Sequence, residues 1–115
     1  MKLFSRLVVP LVLGGAILSA LSLSYAAGKK SEGASTFMEK CSMCHGIDGK
    51  GYEAIHTPNF TDPKWQAAHS DKELMSAIKN GVKGTAMVSF EDKLSHEQMV
   101  DVLKYIHSLG SKAKK

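Results

Sequence analysis

Hydrophobic and polar positions divide the chain into one nearly continuous apolar run and three stretches of helical period, separated by polar, glycine-rich connections. Leu7 to Leu23 is the apolar run, with only serines as polar interruptions. Further on, Phe37 and Cys41 lie four apart, which puts them on one face of a helix over about 33–44. Leu74, Ala77 and Ile78 share a face in the next stretch. Met99, Val102, Leu103, Ile106 and Leu109 form an apolar stripe in the last. No segment alternates apolar and polar residues at the period of a strand, so the chain is predicted to be all-α.

Capping signals sharpen these limits. Ser70-Asp71-Lys72-Glu73 is a capping box opening the second helix, and Asn80-Gly81 is its stop. Ser95-His96-Glu97-Gln98 opens the last helix in the same way, with Gly110 as its expected end. Gly33, four residues before Phe37, either lets another helix approach closely or marks a frayed helix start. The connection from Gly46 through Thr57-Pro58-Asn59-Phe60 to Asp62-Pro63, and the one from Val82 to Leu94, are predicted loops. Loops of that length in a compact domain call for a ligand to wrap around.

The N-terminal run has the layout of a secretory signal peptide. Lys2 and Arg6 precede it, and Ser24-Tyr25-Ala26 follows with small residues at the −3 and −1 positions of a cut after Ala26. Its length approaches that of a membrane span, so an uncleaved anchor is the alternative; Pro10 and Gly14-Gly15 favour cleavage. The expected organisation is a signal over 1–26, a polar linker over 27–32, one small domain over 33–110 and a lysine-rich tail over 111–115. The formal net charge of +4 is concentrated at the ends, in Lys29, Lys30, Lys112, Lys114 and Lys115, and reads as solvated termini. No basic stripe interleaved with aromatics is present, so nucleic-acid binding has no support.

The chemistry lies in Cys41-Ser42-Met43-Cys44-His45. A thiol–disulfide pair needs a βαβ context that the pattern lacks. A zinc site needs four ligands, and no second Cys pair or His cluster follows. Cys-x-x-Cys-His after an export signal reads instead as covalent haem attachment: two thiols add to the haem vinyl groups, and the adjacent imidazole reaches the iron. The chain has two cysteines and both are in the motif, so no structural disulfide remains. A porphyrin supplies apolar interior that so short a domain otherwise lacks. Gly46, Gly49 and Gly51 do not match a dinucleotide fingerprint and are read as turns around a bulky group.

The occupant of the iron's sixth position sets the function. Of the six methionines, Met1 is in the signal, Met38 and Met43 share the helix of the motif, and Met75 and Met99 occupy predicted helices as core fillers. Met87 stands in an irregular loop and is the candidate ligand. His69, His96 and His107 are read as surface residues; His56 is the bis-histidine rival.

With Cys41–His45, the three glycines, Ile78-x-x-Gly81-x-x-Gly84 leading to Met87, and Tyr105-Ile106 with Leu109, the chain resembles the class I monohaem cytochrome c family. The resemblance implies one covalently bound haem c, held by Cys41 and Cys44 and ligated by His45 and Met87, in a fold of three main helices and haem-wrapping loops. It implies that the first and last helices cross, with Gly33 and Phe37 meeting Tyr105. It also implies that the Pro58 carbonyl accepts a hydrogen bond from His45 Nδ1. Trp65 is similar to a family residue near the haem propionates; an ordinary core tryptophan is the other reading. Val88 stands where the family commonly has proline, a departure that loosens the restraint on Met87. Implied as function is a periplasmic one-electron carrier, not an enzyme, that meets redox proteins transiently through an exposed haem edge. Two alternatives stand beside it: a haem-based small-ligand binder, and a cytochrome subunit of a larger oxidoreductase.

Overall fold

Ser31 opens the first helix, its hydroxyl accepting from the Ala34 N–H at 3.2 Å. The computed structural model describes residues 31–112; the expected signal peptide, most of the linker and the end of the lysine tail lie outside the described residues. Helix α1 spans Glu32–Thr36, so Ser31 and Glu32, expected in the linker, belong to the helix and its cap. The helix does not continue in a uniform α wind. Phe37–Cys41 forms a π turn, in which the Ser42 N–H donates back five residues to the Phe37 carbonyl, and α2 resumes over Ser42–His45. Single wide turns of this kind are frequent at functional sites. Here the turn ends on the first cysteine of the motif.

A short 3₁₀ turn, Glu53–Ile55, interrupts the following loop. The loop is not irregular to its end. Helix α3 covers Pro63–Ala68, with the Asp62 carboxylate accepting from the Lys64 N–H and proline in the first turn. Asp62-Pro63 is thus a helix start, correcting the reading of that dipeptide as loop. Helix α4, Asp71–Asn80, begins at the expected Ser70–Glu73 capping box. Helix α5, His96–Lys112, begins at the second box, where Gln98 N–H donates to Ser95 Oγ and Ser95 N–H donates to Gln98 Oε1. It runs past the expected stop. Gly110 is buried inside the helix, and a Cβ there would meet the Gln66 side chain at 2.6 Å. Close packing against α3, not chain reversal, is what this glycine permits.

The core is one cluster: Phe37, Phe60, Leu74, Ile78, Leu94, Met99, Val102, Leu103, Ile106 and Leu109. The apolar stripes of α4 and α5 enter it as their spacing predicts. Helix α1 crosses α5 at Gly33, where a Cβ would run into the Asp101 carbonyl. That settles the choice at Gly33 in favour of close approach. The crossing brings the Phe37 and Tyr105 rings to 5.2 Å between centroids, a contact expected from the family resemblance. Among the described residues there is no strand and no helix long and apolar enough to cross a membrane.

Candidate functional site

Cys41 closes the π turn, and α2 presents Cys44 and His45. Both thiols are free. Cys41 is half-buried against the core, and burial pushes its thiol up to about 11. Redox Cys-x-x-Cys pairs do the reverse, lowering a thiol pKa to obtain a reactive thiolate. Among the described residues no three His, Cys, Asp or Glu side chains come together as a metal cluster. Neither rival reading of the motif finds support in this geometry.

His45 is partly buried, and burial lowers its pKa, which favours the neutral imidazole that can ligate a metal. Its ring stacks on Phe60, with centroids 4.7 Å apart and planes 20° from parallel. Its Nδ1 is buried and has no hydrogen-bond partner. The bond to the Pro58 carbonyl expected from the family is therefore not formed here. That carbonyl lies against Gly51 instead, where a Cβ would come within 2.6 Å of it. Gly51 has φ +71°, and its N–H donates to the His45 carbonyl at 2.8 Å. A side chain at this position would be strained twice, by conformation and by contact. The turn it permits brings the loop back over the motif.

Met87 is half-buried and packs against the core cluster. Its loop is tied to the end of α4. The Met87 carbonyl accepts from Val82 N–H at 3.0 Å, Phe90 N–H donates to Ile78 O, and Ser89 Oγ donates to Lys79 O at 2.6 Å. The Met87 N–H donates to Thr85 Oγ1. These bonds restrain the loop on both sides of Met87, even with the exposed Val88 where proline was expected. Met99 is buried in the core, and Met38 and Met75 pack on it. His56 is exposed, in a left-handed backbone conformation with φ 54°.

Trp65 lies on α3, its ring 5.1 Å from Phe60 and stacked on His69 at 4.2 Å. His69 is therefore half-buried, with Nδ1 2.8 Å from the Trp65 carbonyl, where the sequence reading had it solvated. His107, also read as a surface residue, is bound between Gln66 and Asp71. Both corrections have one cause: α3, which the sequence reading missed, packs against these two side chains.

Haem c fits the residues present. A partly buried imidazole has one buried ring nitrogen unused, in the same motif as two free thiols. The large exposed apolar side chains among the described residues are Met43, Ile47, Tyr52, Ile55, Val82 and Val88, with Met43 at 89% and Ile47 at 73%. All six fall in the segments that carry the motif, its following loop and Met87. None lies on α3, α4 or α5. A porphyrin held by the motif would find apolar side chains in each of these segments.

These features define a helical domain built around covalent haem attachment. The chain belongs to the cytochrome c family, of class I: the family model Cytochrome c matches residues 31–110. Haem c and electron transfer come with that membership. The chain is similar to the cbb3-type cytochrome c oxidase subunit FixP of Bradyrhizobium diazoefficiens, 34% identical over 80 residues, covering 70% of this chain and 27% of the relative. It is also similar to the cbb3-type oxidase subunit CcoP of Rhodobacter capsulatus, 36% identical over 89 residues, covering 71% of this chain and 30% of the relative. It thus spans less than a third of the length of these curated relatives. The solved c-type cytochrome KustC0563 superposes with a TM-score of 0.62 at 26% identity, covering 67% of this chain and 95% of that one.

Proposed function

We propose that the protein is an exported, periplasmic one-electron carrier with a single haem c. Cys41 and Cys44 would hold the haem through two thioethers, and His45 and Met87 would ligate its iron. Bound haem supplies a reversible one-electron change at its iron. The chain does the rest. Phe60, stacked on the His45 ring, fixes the plane of the imidazole. His45 Nδ1 is buried without a partner, and an acceptor brought to it would set the tautomer and raise ligand basicity. The Met87 thioether raises the reduction potential. Trp65, whose observed contacts are Phe60 and His69, would lie near the propionates only by the family resemblance. No substrate bond is made or broken, so the domain is not an enzyme in itself, and its partners are redox proteins that bind transiently.

One observation carries this reading: the large exposed apolar side chains fall in the segments that carry the Cys-x-x-Cys-His motif and Met87, and His45 has a buried ring nitrogen without a partner. The test is a redox titration of the purified holoprotein with optical spectra. The carrier shows a methionine–iron charge-transfer band in the ferric form, and Met87→Ala abolishes it and lowers the potential. Ready binding of carbon monoxide by the untreated ferrous protein sinks the six-coordinate reading and favours a small-ligand binder.

A second reading has its own support. The curated relatives are oxidase subunits, and the chain matches less than a third of each. On that reading the domain exchanges electrons with permanent neighbours in a complex. Co-purification with a stoichiometric partner favours it; a monomeric holoprotein that reduces and reoxidises freely favours the carrier.

A further inference from the structure

Gln66 and His107 join α3, α4 and α5 through hydrogen bonds whose proton count follows from their geometry. Gln66 Nε2 donates to the Phe60 carbonyl at 2.8 Å and to the Ile106 carbonyl at 2.9 Å, which uses both amide hydrogens. Turning the amide over would set its oxygen against two carbonyl oxygens, so its orientation is determined. Gln66 Oε1 therefore faces His107 Nδ1, 2.9 Å away, and an amide oxygen only accepts. Across the ring, Nε2 lies 2.9 Å from Asp71 Oδ1. The Asp71 side chain is 78% exposed, and an exposed carboxylate at neutral pH is also an acceptor only. Two acceptors flank the ring, so only a ring with hydrogen on both nitrogens can donate to both. A neutral imidazole carries one.

We propose that His107 is a doubly protonated clamp that joins the three helices fully only in its charged form and positions Phe60 against His45. The route to His45 is short. Gln66 holds the Phe60 carbonyl, and the Phe60 ring stacks on the His45 imidazole. The surroundings of His107 leave Asp71 as its charged partner among the described residues. Helix α3 offers the neutral Pro63, Gln66 and Ala67 at this cleft, and α5 offers Gly110 and Ser111. Lys104, one turn back on α5, pairs with Asp101 at 3.3 Å. As pH rises and one ring proton leaves, an acceptor faces an acceptor, at Gln66 or at Asp71, and the clamp opens on that side.

The positioning half of the proposal rests on His45 as an iron ligand; the proton count does not. The experiment is long-range ¹H–¹⁵N NMR of the full-length holoprotein across about pH 5 to 8, the range in which imidazole charges change, with reduction potentials measured on the same samples. The Gln66 side-chain amide signals are expected to move between the doubly protonated and the singly protonated His107 ring. Gln66 amide signals that are the same for the doubly and the singly protonated His107 ring overturn the clamp. Asp71→Asn supplies the sharper comparison. Its amide can donate to an unprotonated Nε2, so a neutral ring keeps both bonds and the Gln66 signals no longer follow pH. The wild-type potential is expected to step at the pH where His107 loses its proton, and Asp71→Asn to lack that step. A wild-type potential flat through that pH overturns the positioning of His45 while the NMR result stands. Loss of the His45–Met87 ligation reading is seen separately, in the ferric spectrum.

Discussion

Replacing Gly33 by alanine tests how closely α1 and α5 cross. The added methyl would overlap the Asp101 carbonyl, 2.5 Å from its carbon and 3.1 Å from the Val102 nitrogen. Carbon atoms pack best at about 3.5–4.0 Å, so the shortfall is roughly 1 Å or more. Every opposing atom is backbone of α5, so no rotamer change relieves it, and α1 must lift away. Phe37 and Val102, fully buried beside this crossing, lose contact when it does. Overpacking of this kind costs about 3 kcal/mol at the upper end of its usual range, and the better helix propensity of alanine returns about 1 kcal/mol, leaving about 2 kcal/mol of net destabilisation. For a domain of this size that lowers Tm by roughly 8–16 °C. Thermal unfolding of the holoprotein, followed by circular dichroism and haem absorbance, measures the shift. Ser35→Ala, exposed on the same helix, is the control and should leave Tm nearly unchanged. A Gly33→Ala protein that melts at or above the wild-type temperature refutes the close-crossing argument, because the propensity gain would then be unopposed.

Two further outcomes follow from the capping boxes. Glu73 accepts from Ser70 N–H at 2.8 Å and from Ser70 Oγ at 2.9 Å, and these bonds, the backbone one first, hold its carboxyl below the usual carboxylate range. A carboxyl with a depressed folded pKa stabilises the protein above its unfolded pKa and loses that contribution as pH falls through the folded value. Glu73→Gln should therefore flatten the acid side of the stability–pH profile, read by denaturant unfolding at several pH values; an unchanged acid limb counts against the box. Ser95→Ala removes the acceptor of the Gln98 N–H and should destabilise by about 1 kcal/mol. Adding Gln98→Ala should then cost less than it does alone, since each half of the box depends on the other. Strict additivity in that cycle would refute reciprocal capping.

The haem motif, both capping boxes and the stripe of α5 were legible in the chain because each is local. Attachment chemistry depends on residues within one turn, and caps and stripes on spacings of three and four. What escaped depends on distant segments meeting. Helix α3 has six residues, too few for periodicity to announce it, and its Asp62-Pro63 start was the overlooked signal. The π turn has no residue signature in Phe37–Cys41 and is defined by the bond from Ser42 to Phe37. Once α3 is present, His69 and His107 can no longer be plain surface residues.

The residues alone therefore determined the class of cofactor, the helical architecture and Met87 as the candidate sixth ligand, since these rest on covalent chemistry and short-range spacing. Only the tertiary structure decided what Gly33 and Gly110 are for, which ring stacks on His45, and which groups flank the His107 ring. Each of those is a relation between separate segments of the chain, between atoms whose neighbours exist only after the helices have packed.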